Sequence, residues 1–171
     1  MEKPKRERHP FQRYIWNCFL LFIPIFIWNI ALAHKLPKAF QPEIFWNKIP
    51  AFLTYGENIS RVIIVTIALG MPLKVVTSLQ KKGLFLYATG ALLYFASWLL
   101  LIYVPDSQWS NTFWGFMAPA YTPLLWLLGM GMIGDAFYFK LPFKRWYFIL
   151  AAIIFLGFHN LHTYLIFSRT H

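Results

Sequence analysis

Five long apolar runs organise the chain. They cover roughly 14–33, 52–79, 84–104, 113–134 and 146–168. Each approaches or exceeds the ~20 residues with which a helix crosses a hydrocarbon core of ~30 Å. No run has the ten-residue alternation of a transmembrane barrel strand, so the pattern predicts helices throughout. Short polar segments join the runs, apart from a longer connection from His34 to about Ala51. The expected fold is an all-α integral membrane protein: one domain over 1–171, a single bundle of five transmembrane helices, led by a basic tail over 1–13.

Composition supports this reading. Of 171 residues 58% are hydrophobic and only 13% charged, whereas a soluble domain carries about a quarter charged residues. Eighteen Phe, nine Tyr and eight Trp suit lipid-facing and interfacial positions. The formal net charge is +10, but the basic residues sit in short segments between apolar runs. That distribution belongs to membrane topology, and no nucleic-acid partner is expected. The single cysteine, Cys18, excludes an intramolecular disulfide and a CxxC motif.

Lys and Arg counts set the expected orientation. The N-terminal tail, the segment after the second run and the segment after the fourth hold eleven of them, and the other side holds four, with Arg61 left aside. The imbalance predicts a cytoplasmic N-terminus and an outside C-terminus, in a plasma or inner membrane. A basic start, an apolar stretch and Ala31-Leu32-Ala33 also resemble a cleavable signal peptide. The stretch exceeds the usual 7–15 residues, and Trp28 and Asn29 crowd the site, so the first helix is expected to stay uncleaved.

The second run poses a register question. Glu57, Asn58, Ser60 and Arg61 precede its most apolar part. A helix confined between Arg61 and Lys74 has twelve residues, about 18 Å, which is too short. If Lys74 snorkels and the helix continues to Leu79, Glu57 and Arg61 are solvated rim residues. If the helix starts near Phe52, Arg61 lies at a depth of roughly 13 Å and must face the bundle interior and pair.

The second register gains support from polar groups at a matching level on the other helices. The fifth run carries His159, Asn160, His162 and Thr163, of which His159, His162 and Thr163 share a face. The first run ends with Trp28, Asn29 and His34, the third with Ser97, Trp98 and Tyr103, and the fourth enters with Tyr121 and Thr122. Polarity within the spans is thus concentrated in one half, which predicts a polar cavity in the outer leaflet. Pro119 and Pro123 would kink the fourth helix and free backbone carbonyls there. The plainer reading keeps the His and Asn as ties between helices, each worth about 0.6 kcal/mol.

Other motifs carry less. Gly129–Gly134, GMGMIG, matches GxGxxG but ends an apolar helix instead of opening one after a strand, so close helix packing explains it better. His159 and His162 supply two imidazoles, short of a zinc set, and no metal site is expected. No cofactor is specified. Three Trp-Asn pairs, at 16–17, 28–29 and 46–47, form no repeat.

The function expected is that of a small polytopic membrane protein whose cavity binds, and in one version processes, an amphiphile such as a lipid, isoprenoid or quinone. Arg61, Asn58, Asn29, Tyr121 and Trp98 are the candidate ligand-binding residues. Glu57, His159 and His162 are the acid–base candidates if chemistry occurs. The alternatives are a structural or accessory subunit of a homo-oligomer or larger membrane complex, and a small proton-coupled transporter. The odd helix count, which lacks a simple inverted repeat, weighs against the transporter. Besides the amphiphile, the expected partners are membrane lipids.

Overall fold

The computed structural model describes residues 14–170, and the basic tail over 1–13 lies outside them. Within them every regular element is helical, and the single bridge pairs Asn17 with Pro72. Five helical spans are long and apolar enough to cross a membrane.

The first span, Cys18–Lys35, is a 3-10 turn Cys18–Phe22, the helix α1 Ile23–Leu32 and a closing 3-10 turn Ala33–Lys35. The continuous span starts at Cys18, not at residue 14: Tyr14 and Ile15 are helical, the chain breaks at Trp16 and Asn17, and the Asn17 side chain caps the new turn by accepting from the Phe19 N–H at 3.0 Å. Helix α3, Ala51–Gly70, forms the second span. It stops well short of residue 79, the widest limit of its apolar run. Pro72 disfavours helical backbone at Met71. The chain there pairs instead with the start of the first span, Cys18 N to Met71 O at 2.8 Å and Leu73 N to Trp16 O at 2.9 Å.

Helix α4, Ser78–Tyr103, opens on a Thr77–Gln80 capping box and forms the third span. The fourth is divided into α5, Phe113–Tyr121, and α6, Pro123–Ile133, with the break at Thr122. Pro119 and Pro123 have no N–H, so the carbonyls four residues earlier lose their helical donor. Helix α7, Arg145–Thr170, is the fifth span. The long connection folds into a strap: a 3-10 turn Lys38–Phe40, the short helix α2 Pro42–Phe45, and a turn that returns to Pro50. Arg169 of α7 holds the strap through the carbonyls of Asn47 and Lys48, at 3.0 Å each. Phe40 stacks on Phe116 with centroids 4.6 Å apart.

Two helix pairs build the bundle, α4 with α6 and α3 with α7. In the first pair the backbones touch. A Cβ on Gly129 would sit 2.5 Å from Tyr87 N and 2.6 Å from Gly83 O, so only glycine permits this approach. The first span is held differently. It gives Cys18, Phe22 and Ile25 to the core, while Ile27 and Ile30 stay exposed. That light attachment leaves space between the first span and the α3–α7 pair.

Candidate functional site

Glu57 is the centre of a four-residue cluster. It lies on the face of α3 that meets α7, and it is fully buried. The start of α3 at Ala51, the earlier of the two registers, places it opposite both histidines. His159 Nδ1 is 3.1 Å from Glu57 Oε1, and His162 Nδ1 is 2.7 Å from Oε2. Arg61, one turn further along α3, donates from Nη2 to Oε1. The i, i+4 and i, i+3 spacings on two facing helices therefore bring three side-chain nitrogens to one carboxyl group.

His162 has a second partner. Its Nε2 lies 2.8 Å from the carbonyl oxygen of Phe45 at the end of α2. A carbonyl can only accept, so Nε2 carries a proton and donates it. One further proton must then lie on the short His162–Glu57 bond, on the imidazole or on the carboxyl, since two bare lone pairs would repel. Phe45 and Trp46 cover the His162 ring at centroid distances of 4.1 and 4.7 Å. The third Trp-Asn pair thus supplies, through Trp46, part of a lid over a buried imidazole.

Arg61 and His159 form the accessible side of the cluster. Their side chains keep 42% and 22% of their surface, against none for Glu57 and His162. That surface faces a cavity of two lobes, each about 340 Å³. Asn29, Arg61, Tyr94, Pro119 and His159 line both lobes and make their junction. One lobe runs toward the strap, past Trp28, Leu36, Phe40, Phe45 and Trp98. The other runs toward the bundle centre and is walled by apolar residues, including Ile25, Ile64, Val65, Leu127 and Phe155. Phe155 spaces the junction: the Arg61 guanidinium lies over its ring, Cζ 5.6 Å from the centroid, and the His159 ring stacks on it with planes 8° apart.

Comparison with protein-family models, curated proteins and solved structures finds no match. The site's chemistry is the guide to function.

Of the residues singled out from sequence, Arg61, Asn29, Trp98 and His159 line the cavity. Glu57 and His162 stand directly behind it. Asn58 is exposed on α3; it donates to Thr54 O and accepts from Arg61 Nη1 at 3.3 Å, so it steadies the guanidinium from outside. Tyr121 turns back along its own helix and donates to Trp114 O at 3.2 Å, away from both lobes. Asn160 ties α7 to α5 by donating to Ala120 O at 3.1 Å. Among the described residues no three His, Cys, Asp or Glu side chains gather as a metal site.

Tyr94 belongs to the site without a signal of its own in the sequence. Its hydroxyl donates to Asn29 Oδ1 at 2.7 Å, bridging α4 to the first span at the cavity junction. The Phe45 carbonyl was equally hidden. A tyrosine within a Leu-rich span and a backbone oxygen leave no pattern of their own. The available hint was axial: Tyr94 lies one turn before Ser97 and Trp98, on the half of α4 already rich in polar groups.

Proposed function

We propose that this protein binds an amphiphilic molecule within the membrane, with its polar head at Arg61 and its apolar tail in the lobe walled by Ile25, Ile64, Val65 and Leu127. The observation that carries the reading is the shared junction. The two lobes meet at Asn29, Arg61, Tyr94 and His159, so polarity is confined to the waist of an otherwise apolar cavity. Pockets of ~300–1,000 Å³ with a few convergent polar groups are the usual form of small-molecule sites.

The cluster divides its labour. Glu57 and His162, fully buried and hydrogen bonded, hold α3, α7 and the strap together. Arg61, braced by Glu57 and Asn58, presents its remaining N–H groups to the cavity. A purely structural tie would explain the buried half but would not require the void beside Arg61. If the ligand undergoes proton transfer, His159 is the acid–base group at its head, oriented by Glu57. The eleven-to-four excess of Lys and Arg supports a cytoplasmic N-terminus. The strap and cavity junction then belong to the outer half of the bilayer.

Mass spectrometry of organic extracts from gently solubilised protein tests this reading. The wild type should carry one amphiphile enriched over bulk lipid. Arg61→Ala and Val65→Phe, which fills the apolar lobe, should both accumulate normally and lose it. If Val65→Phe keeps the same lipid profile while Arg61→Ala fails to accumulate, the cluster is glue between helices and the binding reading falls.

A further inference from the structure

Resting on that reading, we infer that the head group is an oxyanion, a carboxylate or phosphate, carried on a single apolar chain. Charge counting leads there first. The proton on the Glu57–His162 bond leaves that pair with zero net charge wherever it sits: carboxylate with imidazolium, or carboxyl with neutral imidazole. Among the described residues Glu57 is the only acid paired with Arg61, and that acid is balanced by His162. The positive charge of Arg61 is therefore uncompensated whichever tautomer His159 adopts. Among the described residues that line the two lobes, none is acidic. An isolated cationic charge inside a membrane bundle is costly, and an anion seated beside it offsets that cost.

Hydrogen-bond polarity leads to the same place. Glu57 spends both oxygens on Arg61, His159 and His162, and it has no exposed surface. Asn29 spends its oxygen on the Tyr94 hydroxyl, which leaves its Nδ2 donor free at the junction. Arg61 spends one N–H on Glu57 and one on Asn58, and it has five in all. The junction thus offers donors from two sides, Asn29 on the first span and Arg61 on α3. A head group that only accepts satisfies them. An ammonium head satisfies none and meets Arg61 as a like charge. Each lobe, at about 340 Å³, takes a head or one chain; a two-chain phospholipid would have to leave a chain outside.

The test uses four probes with one common alkyl chain: a fatty acid, an alkyl phosphate, a fatty alcohol and an alkyl trimethylammonium. Binding to the full chain in nanodiscs of neutral phosphatidylcholine is followed by tryptophan fluorescence, with Trp28, Trp98 and Trp126 on the lobe walls as reporters. The acid and the phosphate should bind at least about tenfold more tightly than the alcohol and the ammonium, the usual margin of a charge-assisted over a neutral pair. Arg61→Gln should abolish that preference by weakening the acid and the phosphate to the level of the alcohol or below, and Arg61→Lys should restore part of it. Equal affinity for alcohol and acid overturns the oxyanion inference and leaves amphiphile binding standing. Displacement of the acid by inorganic phosphate or acetate alone assigns the site to a soluble anion and overturns the tail. Failure of all four probes overturns amphiphile binding and this inference with it.

Discussion

The α4–α6 seam and the space around Arg61 are built from the same kind of sequence, and they do opposite things with it. At the seam, Gly83, Gly90 and Gly129 remove side chains so that two backbones touch. Around Arg61 the first span stands off from the α3–α7 pair, and polar groups face a gap that remains open. Lipid drives neither arrangement, since tails are as apolar as the helices themselves. The seam closes because small residues let van der Waals contact accumulate. The gap stays open because the aromatic strap, the divided fourth span and the Glu57 cluster prop it. A bundle that only needed to hold together would repeat the seam.

That contrast can be broken at several points. The largest effect is expected from Glu57→Ala. It leaves the buried His162 and the Arg61 guanidinium without their shared acceptor, a loss of about 3–5 kcal/mol by analogy with broken buried pairs. Thermal unfolding in detergent should show it as a large drop in midpoint or as failure to accumulate. Glu57→Gln, which keeps the shape and one acceptor, should lose less. Gly129→Val comes next. Its side chain would strike the backbone of Tyr87 and Gly83, at a cost of roughly 1–3 kcal/mol. That loss should appear in unfolding while ligand content per folded molecule stays normal. Arg61→Gln should reverse the pattern: Glu57 keeps both histidines, so stability should change by the net worth of one hydrogen bond, ~1 kcal/mol, while bound amphiphile is lost. Smallest is Asn58→Ala, which removes only an outer brace on Arg61. A stability change of a few tenths of a kcal/mol and a modest weakening of ligand binding are expected, measured by the same two assays.

Much of this was legible in the residues, in one coordinate more than the other. Distance along each helix follows from counting, and counting located Glu57, Arg61, His159 and His162 at a common level. It also raised the register question, which the start of α3 at Ala51 answers. Rotation about the helix axis is less accessible. Asn58 follows Glu57 by one residue, which turns it by about 100° and out to the exposed side of α3. Tyr121 sits at a suitable height in the fourth span and faces its own helix. Pro72 is a helix stop signal, and a run drawn from hydrophobicity alone, 52–79, passes over it. The strap was the least legible part. Its contribution is a backbone carbonyl and two rings, and residues 36–50 have no periodicity that would fix where these fall.

The central claim about the molecule is that a ligand head occupies the waist of the cavity at Arg61. The most direct measurement is an experimental structure in a lipid nanodisc, by cryo-electron microscopy with a rigid antibody fragment bound to enlarge the particle. The prediction is elongated density filling both lobes, with its compact end within hydrogen-bonding distance of Arg61 and Asn29. Lobes closed by inward movement of the first span, with Arg61 turned out toward lipid or water, would contradict it.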